Sequence, residues 1–237
     1  MGKRTITRRR GSGTNRYRAN SHRYFAEAKH VKDISKKNFS GRVVDLVHSV
    51  SHSAPLAVVR YDDGSLNYII AAEGMSVGDV VLSGCSDVKI GNTVELQHIP
   101  EGTLIYNIEG KLGDGGRYVR ASGAFARVLA KAGESVTVLM PSGAEKNFSV
   151  KCRASIGTVA GGGRTEKPFV KAGRRWHADR ARGKLYPVTS PVAMNALNHP
   201  FGSGRGRHPG KSTVPPRWAP PGRNVGQIRA SRTGRKK

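Results

Sequence analysis

Charge is laid out along this chain in three blocks, and that layout limits where a packed core can form. Residues 1 to 40 hold 12 Lys/Arg against 2 acids, residues 41 to 172 hold 14 against 13, and residues 173 to 237 hold 15 against 1. The net charge of +25 is thus carried almost wholly by the ends. Self-repulsion on this scale opposes packing of the ends against each other, so they read as arms that condense on a polyanion, with nucleic acid the first candidate. Only the central 132 residues have the composition of a globule.

That centre alternates apolar and polar residues with period two and is rich in β-branched side chains, as in Arg42–His48 and Ala57–Tyr61. Further strands are expected at 66–70, 80–82, 88–90, 94–96, 104–108, 118–120, 124–130, 135–140 and 148–150. Asp62-Asp63-Gly64 and Pro141-Ser142-Gly143 each separate two apolar runs, which is hairpin chemistry. The fold class is therefore all-β: an OB-type barrel over 26–84 and an SH3-like barrel over 85–172. A basic N-terminal extension, 1–25, and a Gly/Pro/Arg-rich C-terminal extension, 173–237, flank them. Helix signals are scarce, the best being a turn or two around Tyr24–Ala28. Periodicity stops past residue 160, and both extensions are expected to be disordered when free and ordered only on a partner.

Several chemistries are disfavoured. No apolar run approaches the ~20 residues that cross a bilayer, and no secretory leader follows the basic start, so the chain reads as soluble and not secreted, with no membrane partner. Cys85 and Cys152 stand alone and read as reduced core thiols. His48 and His52 have the spacing of one strand face, but with no carboxylate or Cys nearby they read as surface histidines and not a metal pair. Gly202–Gly206 lacks the preceding strand, the following helix and the Lys-Ser/Thr pair of a phosphate loop. His199 and Ser203 could form a nucleophile–base pair, but no acid in the segment orients the ring. The chain is read as no enzyme, with no small-molecule substrate.

Arginine among glycines suits close approach to phosphate, because glycine lets backbone N–H groups near while guanidinium donates in pairs. The candidate RNA contacts are Arg8, Arg9, Arg10, Arg16, Tyr17, Arg18, His22 and Arg23 in the N-terminal arm. Towards the C-terminal end they are Lys171, just before the arm, and Arg174, Arg175, Arg180, Arg182, Arg205, Arg207, Arg223, Arg232 and Arg235 within it. Aromatics interleaved in Asn15–Arg18 and Ser21–Phe25 can stack on unpaired bases, which favours structured RNA over duplex DNA. A free-standing chromatin or nucleoid protein would share the charge pattern, and would differ by binding duplex DNA equally well.

The stretch Val192–Gly204 resembles the AMN-x-x-x-HP-x-GGG signature of the universal large-subunit ribosomal protein L-two family. Ala72–Gly74, Val77–Asp79, Gly91-Asn92, Ile99–Thr103, Asn107–Glu109, Pro141–Gly143, Cys152–Gly157 and Lys171–Gly173 follow in family order. Pro220–Gly226 and Arg232–Arg235, with Phe201 after His-Pro, are similar to the archaeal and eukaryotic branch, and the length favours the archaeal one. The resemblance implies an OB barrel followed by an SH3-like barrel, with extensions threaded into large-subunit rRNA. It further implies a primary rRNA binder of the cytoplasmic ribosome that supports assembly of the peptidyl transferase region and subunit association. Neighbouring ribosomal proteins would be partners, and there is room for a small-subunit contact at the intersubunit face. No cofactor is implied beyond structural Mg2+ or K+ held mainly by rRNA. By matched positions His199 is the family's functionally important histidine, and Met194, Asn195, Pro200, Gly202 and Gly204 form its loop. Two positions depart from the pattern: Ser190-Pro191 stands where Arg-Gly is usual, and Ser203 interrupts the glycine triplet, at a site where a side chain is less suited to positive φ.

Overall fold

Period-two alternation becomes ten strands in the protein, seen here as a computed structural model that describes residues 3–4, 6–31, 39–210, 217–218 and 220. In chain order they are β1 (Phe39–Val47), β2 (Leu56–Tyr61), β3 (Leu66–Ile70), β4 (Val80–Cys85), β5 (Thr93–Glu95), β6 (Leu104–Tyr106), β7 (Ala126–Ala132), β8 (Ser135–Leu139), β9 (Glu145–Ser149) and β10 (Arg153–Ile156). One continuous sheet runs β3-β2-β1-β4-β5-β10-β6-β7-β8-β9, and β4–β5 is its only parallel pair. The all-β class is thus observed, with an OB-type half from β1 to β4 and an SH3-like half from β5 to β10.

Both hairpin turns form where the sequence places them. The Tyr61 N–H donates to Ser65 O at 2.9 Å and the Gly64 N–H to Tyr61 O at 2.9 Å, which sets Arg60 opposite Leu66. Likewise the Gly143 N–H donates to Met140 O at 2.9 Å. Elsewhere the structure departs from the pattern. Residues 88–90 are not a strand: the Asn92 side chain accepts the Leu82 N–H at 2.9 Å and donates to Asp87 O at 3.1 Å, folding the intervening chain into a turn. Around Tyr118 only a single bridge, to Ile108, survives. β10 arises where no strand is expected, between β5 and β6, and all four of its residues are buried. The chain from Tyr24 to Ala28 is not helical. A ten-residue helix instead spans Ala172–Ala181 (α2), and a shorter one Ile6–Gly11 (α1).

Three apolar clusters fill the sheet. Val43, Val59, Tyr61, Ile69 and Val81 pack in the OB-type half, and Val94, Ile105, Val128, Val136, Val138 and Phe148 in the SH3-like half. The third cluster joins Leu56 and Ile70 of the first half to Tyr106 and Val159 of the second, and the Tyr106 hydroxyl donates to Ile70 O at 3.1 Å. Cys85 and Cys152 are buried free thiols, and burial pushes the Cys152 thiol up. Among the described residues, none before Ala28 or after Val159 is buried. The core is therefore confined as the charge layout requires, although it starts earlier than residue 41.

The described residues within 20–174 form one compact unit, and those within 1–19 and 175–220 form another. The expectation that the arms stay apart is overturned within the second unit. The Lys3 N–H donates to Leu197 O at 2.8 Å, and a Cβ on Gly183 would stand 2.6 Å from Tyr17 O. These contacts are between uncharged backbone groups, so the repelling guanidinium groups can still point to solvent.

Candidate nucleic-acid interface

The described basic residues of the arms are displayed to solvent. Arg9, Arg10, Arg16, Arg18, His22, Arg23, Lys171, Arg174, Arg175, Arg180, Arg182, Arg205 and Arg207 are all exposed, and Tyr17 is half-buried. The side chain of Arg8, in α1, lies outside the described residues, as do Arg223, Arg232 and Arg235. α2 has no buried residue and no apolar stripe. Its side chains organise one another: the Arg180 guanidinium lies 5.0 Å from the Trp176 ring centre, Arg175 lies 5.0 Å from the Tyr186 ring centre, and Arg175 meets Asp179 at 3.6 Å. Guanidinium stacked on an aromatic ring keeps its in-plane donors for phosphate or base edges.

The segment from Ser190 to Gly204 folds on its own backbone. A short 3-10 turn at Pro191–Ala193 starts it, and the Asn198 and His199 N–H groups both donate to Asn195 O, at 2.9 and 3.2 Å. The Ser203 N–H closes the loop onto Met194 O at 3.0 Å, and the Ser203 hydroxyl accepts the Ala196 N–H at 3.1 Å. Ser203 does adopt positive φ, +60°, and its hydroxyl bond is what a glycine there would lack. Gly202 has no alternative, because a Cβ would sit 2.2 Å from Asn195 O. The Phe201 N–H donates to His199 Nδ1 at 3.1 Å and the two rings lie 4.9 Å apart, so the neutral imidazole carries its proton on Nε2. Met194, His199 and Gly202 are half-buried; Asn195, Pro200 and Gly204 are exposed. The loop thus presents one imidazole N–H on a small hydrogen-bonded frame. No carboxylate forms a hydrogen bond or ion pair with His199 among the described residues, and the Ser203 hydroxyl serves the backbone.

Residues 26–31 are tied into the platform. The Lys29 N–H donates to Tyr68 O and the His30 N–H to Gly115 O, each at 3.0 Å. Arg120 donates to Ala28 O at 2.7 Å, and Arg153 to Val31 O at 2.8 Å. Arg153 also forms a buried pair with Glu109 at 2.7 Å, and Glu109 accepts the Arg153 backbone N–H at 3.0 Å. Burial raises the Glu109 carboxyl, but the Arg153 hydrogen bonds and charge outweigh it and hold it below the usual range. The His30 Nε2 donates to Asn107 O at 2.6 Å, and burial drives its pKa down to about 4.

Sequence spacing put His48 and His52 on one strand face, but β1 ends at Val47 and the chain turns, the His52 N–H donating to Ser49 O at 3.2 Å. His52 instead joins hydroxyls, Nδ1 lying 2.7 Å from Ser51 Oγ and 3.2 Å from Ser49 Oγ. Among the described residues no three His, Cys, Asp or Glu side chains gather as a metal site, and no helix is long and apolar enough to cross a membrane. Two features escaped the sequence reading. One is the cationic loop at 110–117, where Asp114 accepts the N–H groups of Gly110, Lys111 and Gly116 and leaves the Arg117 side chain exposed; its repeated glycines were the available signal. The other is Arg120, which nothing in its local sequence distinguishes.

Comparison with known proteins bears on the same residues. Residues 2–83 match the family model for "Ribosomal Proteins L2, RNA binding N-terminal domain", and residues 89–219 match that for "Ribosomal Proteins L2, C-terminal domain". The chain is 48% identical to the large ribosomal subunit protein uL2 of Methanococcoides burtonii over 237 residues, all of both chains. It is 48% identical to the uL2 protein of Archaeoglobus fulgidus over 235 residues, 99% of each chain. With the uL2 protein of Haloarcula marismortui it shares 48% identity over 236 residues, 99% of this chain and 98% of the relative.

Proposed function

Because the chain belongs to the ribosomal protein L2 family, we propose that it is a structural constituent of the large ribosomal subunit whose arms bind rRNA while the sheet platform fixes their origin. The carrying observation is the match over the whole chain, joined to arms whose described Arg side chains are exposed and, Arg175 apart, without a carboxylate partner. Phosphate contacts supply most of the affinity, and shape with a few base or 2′-OH contacts supplies specificity. Neighbouring ribosomal proteins and the small subunit at the intersubunit face are its further partners, in the cytoplasmic ribosome. Structural Mg2+ or K+, where it takes part, is held mainly by rRNA. The platform is read as two barrels that meet at residues 84/85.

Removal of residues 1–19, or of 175–237, tests this. Each phosphate contact adds roughly 0.7 to 0.9 to the slope of log K against log salt. Either deletion should flatten that slope for large-subunit rRNA by several units, and an unchanged slope after both would place binding on the platform. The N-terminal cut stops at 19 because Ala28 and His30 belong to the core.

The finer role is support of the peptidyl transferase region by the loop Met194–Gly204, with His199 Nε2 as its donor. The His199→Ala variant should fold and enter particles normally yet slow peptidyl transfer or tRNA handling. Normal translation by such particles would remove any special role for that imidazole.

A further inference from the structure

The two arms meet at a glycine. α2 ends where the Gly183 N–H donates to Arg180 O at 3.1 Å and the Lys184 N–H to Asp179 O at 2.9 Å, and Gly183 takes positive φ, +65°, as a helix cap. Its bare Cα is also the seat of the N-terminal arm: a Cβ there would stand 2.6 Å from Tyr17 O and 2.9 Å from Ala19 N. A second contact is the main-chain bond from the Lys3 N–H to Leu197 O at 2.8 Å. This hold is weak, because among the described residues neither arm has a buried side chain to add to it. The opposing charge is large. Residues 1–19 carry seven Lys/Arg and no acid, and residues 175–210 carry six against Asp179 alone. Asp179 is already met by Arg175 at 3.6 Å, and Lys3, Arg9, Arg16, Arg18, Arg180 and Arg182 are exposed.

Repulsion between exposed cations reaches about 30 Å at 0.01 M salt and about 3 Å at 1 M, whereas a main-chain bond between neutral groups and a steric seat depend little on salt. The balance between hold and repulsion is therefore set by the ionic atmosphere. We propose that the arms form an ion-gated clasp. The N-terminal arm seats on Gly183 and Leu197 when small ions screen the two sets of cations, and it swings off when they do not. The clasp belongs to the free chain and requires no RNA, so it stands apart from the rRNA reading above. Gly183 is its central residue, because any side chain there displaces the backbone of Tyr17–Ala19.

The test is a distance measurement on the full chain without RNA. Spin labels are placed at Lys3→Cys and Leu197→Cys, both exposed positions, while Cys85 and Cys152 are buried and escape labelling. The short-distance population should grow about tenfold between about 0.01 M and about 1 M sodium chloride, as screening removes the repulsion. Gly183→Asn, added to the labelled chain, tests the seat. Asn tolerates the positive φ of the cap but brings a Cβ, so the labels should stay far apart at every salt concentration. Arg16→Gln with Arg18→Gln removes two of the seven cations of residues 1–19, and closure should then come at lower salt. A short-distance population that is the same at all salt concentrations, whether high or low, overturns the clasp. Closure of the Gly183→Asn chain at the same salt as its parent overturns the seat. An unmoved salt midpoint in the double Gln variant overturns charge as the gate.

Discussion

His30 shows how a single buried ring sets the response of the fold to acid. Desolvation lowers its pKa from the ordinary 6.5 to about 4, with the nearby Arg153 charge acting in the same direction. The unfolded chain therefore binds a proton that the folded chain refuses as pH falls from 6.5 toward 4. Stability present above pH 6.5 should be lost over that window, by up to roughly 3 kcal/mol. Glu109, whose carboxyl is held low by Arg153, pushes the same way at more acid pH. Urea unfolding of His30→Gln, which keeps a donor for Asn107 O, should show a much flatter stability profile between pH 7 and 4.5. An unchanged profile would mean that His30 is not the group that titrates. At the same scale the family loop was readable from Met194 to Gly204 as a pattern. That Ser203 could take a glycine's place depended on the Ala196 N–H being within reach of its hydroxyl, and linear sequence does not show such reach.

Among the elements, β10 carries the most structure for its length. It lies between β5 and β6, and its first residue, Arg153, ties Glu109 and the carbonyl of Val31 to the sheet. Removing one partner of a buried ion pair leaves a desolvated charge, so Arg153→Met should cost about 3–5 kcal/mol. The double variant Arg153→Met with Glu109→Leu should recover most of that loss in thermal or urea unfolding. A double variant as unstable as the single one would show that the bond to Val31 O, and not the charge pair, is what matters. The sequence did not reveal this strand because all four residues are buried and nothing alternates. β8, with its regular buried and half-buried alternation, was plain. Conversely 88–90 reads as a strand by composition and is a turn because the Asn92 amide takes up the Leu82 and Asp87 backbone groups.

For the whole molecule, the shared cluster of Leu56, Ile70, Tyr106 and Val159 couples the two halves of the sheet. A protein trimmed to residues 20–174 should therefore unfold in a single transition, with matching midpoints by far-UV and near-UV circular dichroism, although it has lost the arms. Two separated transitions would mean that the barrels are energetically independent. Confinement of the core, the all-β class, the hairpins and the basic character of the ends are legible in the amino-acid order, because each follows from local periodicity, turn chemistry or summed charge. Other features exist only in the folded chain: the pinning of Ala28–Val31 by Arg120 and Arg153, and the packing of the arms through neutral backbone. Each of these brings together residues tens of positions apart whose contact depends on how the sheet curls, and no local pattern encodes that curvature.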